Sequence, residues 1–285
     1  MKAYICGAVI LVLLSACSQD SILQGISQDS SHDSKIEQAR IDLDNSKYDQ
    51  VISDLSTIYN TTTTAAIDPN VGQLLASAYM GKAGIDLTIF IATSSSSGLK
   101  PFDAVASMIS SSKVTINGEV KYIDISLMPD ILSYLASAKE PLQIMAEKGN
   151  AVPDDTIQLG FASATDFIMF IGNATKLAKI PISTAAYASS DLSDVVPENF
   201  VVTTTSSGIP SYQQDLININ NAVIAFSTAY PKPNETNEMK DRLNDFLYDV
   251  LYSALGTKPD ETVTDELIME CSSTGLYNYV QSLAK

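Results

Sequence analysis

Histidine, tryptophan and pairable cysteine are the scarcest resources of this 285-residue chain: one histidine, no tryptophan, three cysteines. The single histidine, His32, follows a Ser/Gln/Asp stretch and reads as a solvated tether residue. A Ser-His-Asp triad, a Cys-His pair or a His-based zinc site therefore has no histidine to draw on inside a folded body. A Gly-x-Ser-x-Gly elbow is missing as well. The expectation is a protein that is not an enzyme, with no catalytic residue, no cofactor and no metal site.

Basic residues are few, 17 lysines and arginines against 33 aspartates and glutamates. Lys2 is the single charge ahead of Cys17. The part after it thus sets 16 basic against 33 acidic residues, a formal charge of −17. A field of that sign repels nucleic acid and anionic head groups and tolerates basic partners. Past the first turns of the chain no apolar run reaches the roughly 20 residues a membrane-spanning helix needs. The most apolar stretch, Ile157 to Lys179, is interrupted by Asp166 and reads as a buried central helix.

The three cysteines have separate fates. Cys6 lies in an apolar leader and Cys17 at its end. Cys271 is then left alone, so no internal disulfide can form. It follows Leu267 at helical spacing on an apolar side and is expected to be buried and inert.

Met1-Lys2 is a short positive start, and Ala3 to Leu14 an apolar run too short to span a bilayer but of signal-peptide length. Leu14-Ser15-Ala16-Cys17 follows. These four residues resemble the bacterial lipobox, where leucine and two small residues precede a cysteine that receives lipid. The resemblance implies cleavage before Cys17 and acylation of its sulfur, with membrane lipid as partner through Cys17. In lipoproteins of this look, a serine after the cysteine (here Ser18) implies sorting to the outer membrane, facing the periplasm. Residues 1–16 are thus the signal peptide, 17–34 a lipidated flexible tether, and 35–285 an α-helical domain with a sub-boundary within 181–210.

Helical periodicity dominates the rest. Ser34-Lys35-Ile36-Glu37 matches a capping box, and Tyr48, Val51, Ile52, Leu55, Ile58 and Tyr59 step by threes and fours. Asp68-Pro69 opens a helix carrying Leu75, Ala76, Tyr79, Ala83, Leu87 and Phe90. Pro101 starts a short one. Residues 113–122 differ: alternating residues flank Asn117-Gly118, the signature of a small β-hairpin insertion. Helices resume with Ile131 to Met145, Ile157 to Lys179, Tyr212 to Tyr230, Met239 to Ala254, and Val263 to Leu283, the last with Gly275 as a weak point. The fold class is mainly α, in antiparallel helix pairs.

From Ser34 to about Ala92 the spacing of Ala39, Tyr48, Val51, Leu55 and Ile58, then Leu75-Ala76 and Tyr79, resembles tetratricopeptide repeats. Departures are the Thr61–Thr64 insert and the lack of a clean later repeat. Lipoproteins that look like this include the T-component of tripartite ATP-independent periplasmic transporters and the helical lipoprotein of the outer-membrane β-barrel assembly machine. The resemblance implies a scaffold or binding role, transport-associated in the first case.

Asp42-Leu43-Asp44-Asn45-Ser46 begins like a calcium loop, but Lys47 and Ser53 stand where glycine and glutamate are needed, so it reads as a helix-connecting turn. Asp241, Asp245 and Asp249 recur every four residues, as a solvated face or a docking strip for a basic partner. Tyr48, Tyr79, Tyr134, Tyr212 and Tyr230 lie on apolar stripes, as packing residues or as the lining of a helical groove. The reading is an envelope lipoprotein whose helical body binds a protein partner or small ligand, with no nucleic acid. The alternatives are an envelope hydrolase using carboxylates only and a purely structural component.

Overall fold

The computed structural model describes residues 31–61, 68–85, 100–106, 114–116, 119–121, 128–175, 195–200, 202–229, 238–256 and 263–283. The leader, Cys17 and the tether up to residue 30 lie outside them. So do the end of the helix expected beyond residue 85 and, within the 181–210 stretch, residues 181–194 and 201.

Ten α-helices appear among the described residues: α1 His32–Asp44, α2 Tyr48–Thr61, α3 Pro69–Lys82, α4 Pro101–Ala106, α5 Met128–Glu147, α6 Pro153–Thr175, α7 Ser211–Ala229, α8 Glu238–Leu255, α9 Asp265–Met269 and α10 Ser273–Leu283. The mainly α class stands. In the stretch of the expected hairpin, β1 (Val114–Ile116) pairs antiparallel with β2 (Glu119–Lys121) over three residue pairs. That is a fragment of ladder and adds no sheet layer to a helical fold.

Local chemistry explains most helix ends. Asp68 accepts from the Asn70 N–H at 2.9 Å ahead of Pro69, which opens α3 as the sequence indicates. Helix α1 departs from the capping-box reading. Its cap is Ser31, whose hydroxyl accepts from the Ser34 N–H at 3.3 Å, so the helix opens within the stretch assigned to the tether. The segment expected as one helix from Val263 to Leu283 is two. Thr264 caps α9, and Ser272 restarts the chain as α10 by accepting from the Gly275 N–H at 3.1 Å. The Cys271 carbonyl between them is taken by the Tyr212 hydroxyl and the Gln213 amide, both at 2.8 Å. It therefore cannot serve a continuous helix. Gly275 is not the weak point. A Cβ there would stand 2.9 Å from the Ala254 carbonyl, so the glycine lets α10 close on α8.

Packing gathers the buried residues into a small core, a large one and a minor cluster of Ala76, Leu142, Met145 and Leu159 between α3, α5 and α6. Ile36, Ala39, Val51, Leu55, Val71, Leu74, Leu75 and Ala78 join α1, α2 and α3. Helix α3 then packs on α5 rather than against a further hairpin of the same kind. The tetratricopeptide-like array does not continue, because the rest of the chain wraps one shared interior. That interior centres on α6, buried along nearly its whole length, and on α7, its most extensive neighbour. Phe161 meets Phe226 edge-on at 6.0 Å, and Phe167 meets Phe246 at 5.8 Å, tying α6 to α7 and α8. Each such pair contributes about 0.5–1.5 kcal/mol beyond its buried area. Among the described residues no helix is long and apolar enough to cross a membrane.

Candidate functional site

The most unusual chemistry of the interior is a charge cluster shared by three helices. Lys139 of α5 reaches inward and its ammonium donates to Asp166 of α6 and, at 2.6 Å, to Asp215 of α7. All three are largely withdrawn from water, with side chains 13%, 17% and 5% exposed. Helix geometry delivers each one: Lys139 follows the buried Ala138, Asp166 precedes the buried Phe167, and Asp215 precedes the buried Leu216. Asp215 also accepts from the Ser163 hydroxyl, which in turn accepts from the Asn218 amide at 3.0 Å. The network is thus Asn218 to Ser163 to Asp215, and Lys139 to both carboxylates.

The electrostatics follow from the count. Burial alone would push the Lys139 ammonium toward losing its proton, but Asp215 and Asp166 overcome that and hold it protonated. One ammonium cannot balance two carboxylates. Asp215 sits deepest, and burial raises its carboxyl most. Lys139 pulls it back, Asp166 pushes it up again, and the result is about 7. A carboxyl raised in this way takes up a proton at a higher pH than a free one.

A second feature lies at the corner of the small core. Ser46, Lys47, Tyr48, Asp49, Gln50 and Lys82 line an open pocket of about 280 Å³. Lys82, at the end of α3, is buried along its stem, pairs with the exposed Asp49 and places its ammonium 4.6 Å from the centre of the Tyr134 ring. The Tyr48 ring covers Gly81, where a Cβ would fall 2.4 Å from it. The pocket wall is therefore set by a glycine that admits the aromatic ring.

The residues singled out from sequence fall in several places. Asp42 is buried and held by Lys47 at 3.1 Å and Gln38 at 3.0 Å, and Asn45 and Ser46 form the turn between α1 and α2. Of the aspartates spaced by four on α8, Asp245 is exposed and Asp241 and Asp249 are partly so. Asp245 stands beside Arg242, and Asp249 is half-buried toward Lys100. Burial raises both carboxyls, with Arg242 and Lys100 respectively opposing it. The tyrosines among the described residues do not converge on one groove. Tyr48 and Tyr134 both lie by Lys82, Tyr212 stacks on Phe170 at 6.0 Å, and Tyr230 is outside the described residues.

His32 is not a free tether residue. Its Nε2 lies 2.7 Å from Asp68, joining the starts of α1 and α3. Burial would raise the Asp68 carboxyl, but the hydrogen bonds from His32 and Asn70 outweigh it and hold it below the usual range.

Cys271 is fully buried in the core, and burial pushes its thiol up to about 12. Its reaction with a thiol reagent at pH 8 is expected to be at least about 100-fold slower than that of free cysteine until denaturant is added. Peptide mass mapping of the modified residue measures this, and a rate equal to free cysteine contradicts it.

The Lys139 cluster went unread in the sequence except for Asp166, which stood out inside the most apolar helix. No family model, no curated protein and no solved structure matches the chain.

Proposed function

We propose that the chain is a lipid-anchored envelope protein whose helical body holds a protein partner or a small ligand close to the membrane. The observation that carries this reading is Leu14-Ser15-Ala16-Cys17 placed ahead of a body in which no described helix can cross a membrane. A body of that kind stays at a bilayer through acyl chains, each buried CH₂ contributing about 0.8 kcal/mol. Tethering then raises the effective concentration of whatever the body binds. Ser18 after the cysteine favours the outer membrane on its periplasmic side.

Binding rather than catalysis is favoured by the chemistry of the described surface and interior. The carboxylates Asp166 and Asp215 do come together, but both engage Lys139. They are held as an ion cluster rather than aimed at a substrate, which weighs against the hydrolase that uses carboxylates only. The pocket beside Lys82 is the better place for a small polar ligand, and the charge of −17 favours a basic protein partner. The transport association drawn from the repeat resemblance has no further support, because the array stops after one helix pair.

The test is Cys17→Ser in the bacterial host with labelled palmitate. The wild-type chain is expected to take up label and to run at the mass of the cleaved form, and the variant to stay unlabelled and keep its leader. Equal processing and labelling of the two refutes the anchor. Affinity capture of the lipidated protein from detergent-solubilised envelope tests the binding half. Recovery of no partner at a level above a Cys17→Ser control counts against it.

A further inference from the structure

We infer that Asp215 is a proton-binding switch: taking up one proton, it turns the buried Lys139–Asp166–Asp215 cluster from a net charge of −1 to neutral and tightens α5, α6 and α7 on one another. The geometry carries this. Two carboxylates from α6 and α7 share one ammonium from α5, and the ammonium bonds both. A salt bridge with one member on each side needs no proton, whereas two acids to one base leave one negative charge in a medium that penalises it.

The excess charge resides on Asp215 rather than Asp166 because of position. Asp215 is the more deeply buried of the two, at 5% against 17% side-chain exposure. Among the described residues, the helices packed on α7 bring one cation to it, Lys139. Helix α5 presents Lys139, and α6 presents Asp166 and the neutral Ser163. On α8, Arg242 acts on Asp245, and Asp249 feels Lys100. Asp265 and Glu266 of α9 are exposed, and near the start of α7 the Tyr212 and Cys271 groups are both shifted up by burial, to about 12, and stay neutral.

The sign of the linkage is fixed. Asp215 has a higher affinity for a proton in the folded chain than in the unfolded one. Its contribution to stability is complete below the unfolded value, about 3.9, and is lost as pH rises toward 7. The folded state is tightened by mild acid and loosened at neutral pH. This inference needs only the fold and stands or falls separately from the lipid anchor.

The experiment uses the full chain in mild detergent. Wild-type protein, Asp215→Asn and Asp166→Asn are melted at pH 5 and pH 8. In wild type, Tm is expected to fall from pH 5 to pH 8 by about 6–12 °C more than in Asp215→Asn, given about 2–4 °C per kcal/mol in a chain of this size. The remaining acidic residues act alike in both proteins, so the difference isolates this site. An equal fall in wild type and Asp215→Asn overturns the inference. So does a fall abolished only by Asp166→Asn, which would place the proton on the other carboxyl. Should Asp215→Asn fail to fold, the carboxyl ¹³C shift of Asp215 in labelled wild-type protein decides. A midpoint between pH 6 and 8 supports the switch, and one below pH 5 overturns it.

Discussion

Lys139→Met is expected to destabilise the chain by about 3–5 kcal/mol at pH 8, the loss typical of removing one partner from a buried ion pair. Methionine fills a similar volume, so little of the loss comes from a cavity. It comes from Asp166 and Asp215, which would be left as two buried like charges whose shared cation is gone. Urea unfolding of the whole chain, followed by helical circular dichroism, measures it. The deficit should shrink at pH 5, because the Asp215 carboxyl then takes up a proton more readily than in the unfolded chain. A pH-independent loss would mean that the lysine stem, not its charge, matters. Adding Asp166→Leu and Asp215→Leu should restore much of the stability. An apolar set of similar volume is often as stable as a buried ion cluster, or more so by about 1–4 kcal/mol.

The helices were legible because their chemistry is local. In α2, α7 and α8 the apolar residues recur by threes and fours, and Val51, Leu55, Leu216, Ile219, Val223, Leu243, Phe246 and Val250 are all buried. The start of α3 was legible because Asp68 and Pro69 cap it from within three residues. What stayed hidden depends on distant partners. The break between α9 and α10 is enforced by Tyr212 and Gln213, about sixty positions earlier, which claim the Cys271 carbonyl. Ser34 satisfies the capping-box pattern, yet Ser31 wins, because nothing in four letters says which serine begins the first turn. The single helix pair that mimics a repeat array could not announce that α3 turns to α5 instead of to another hairpin.

The charge cluster shows the same limit. Lys139 lies 27 positions from Asp166 and 76 from Asp215. Each residue taken alone is a charged residue next to an apolar stripe, the usual look of a boundary position. Only Asp166, set in the most apolar helix of the chain, carried a local signal that its charge must be answered by something. The answer required knowing which faces of α5 and α7 turn toward α6. Buried polar residues on α7 follow suit. Gln213 is answered by the Met269 and Cys271 carbonyls, Asn218 by Ser163, and Asn220 by the Val263 carbonyl. Helix α7 looks half-polar in sequence and is buried anyway, because Ser163 and the carbonyls of Val263, Met269 and Cys271, at and beside the ends of α9, supply the acceptors its amides need.

Helix α7 also sets the second large effect, at Gly160 on α6. A Cβ at Gly160 would stand 2.2 Å from the Ala222 Cβ and 3.2 Å from the Asn218 carbonyl, so the two helices touch through a bare backbone. On an exposed helix, glycine to alanine stabilises by about 1 kcal/mol through propensity. At this crossing the sign should reverse. Gly160→Ala is expected to cost a net 1–3 kcal/mol, roughly, because the clash overpacks a tightly joined interface. Gly160→Leu is expected to cost about 3 kcal/mol or more, by forcing α6 from α7 and stretching the Lys139 to Asp215 contact. The diagnostic is the pair Gly160→Ala with Ala222→Gly, which moves the methyl group across the interface. If direct contact sets the cost, the double variant should be more stable than Gly160→Ala despite adding an unfavourable glycine to α7, a coupling of about 1–3 kcal/mol readable by a double-mutant cycle in urea. Strict additivity would mean that α6 and α7 do not meet at this glycine, and the three-helix cluster that depends on their closeness would have to be rebuilt.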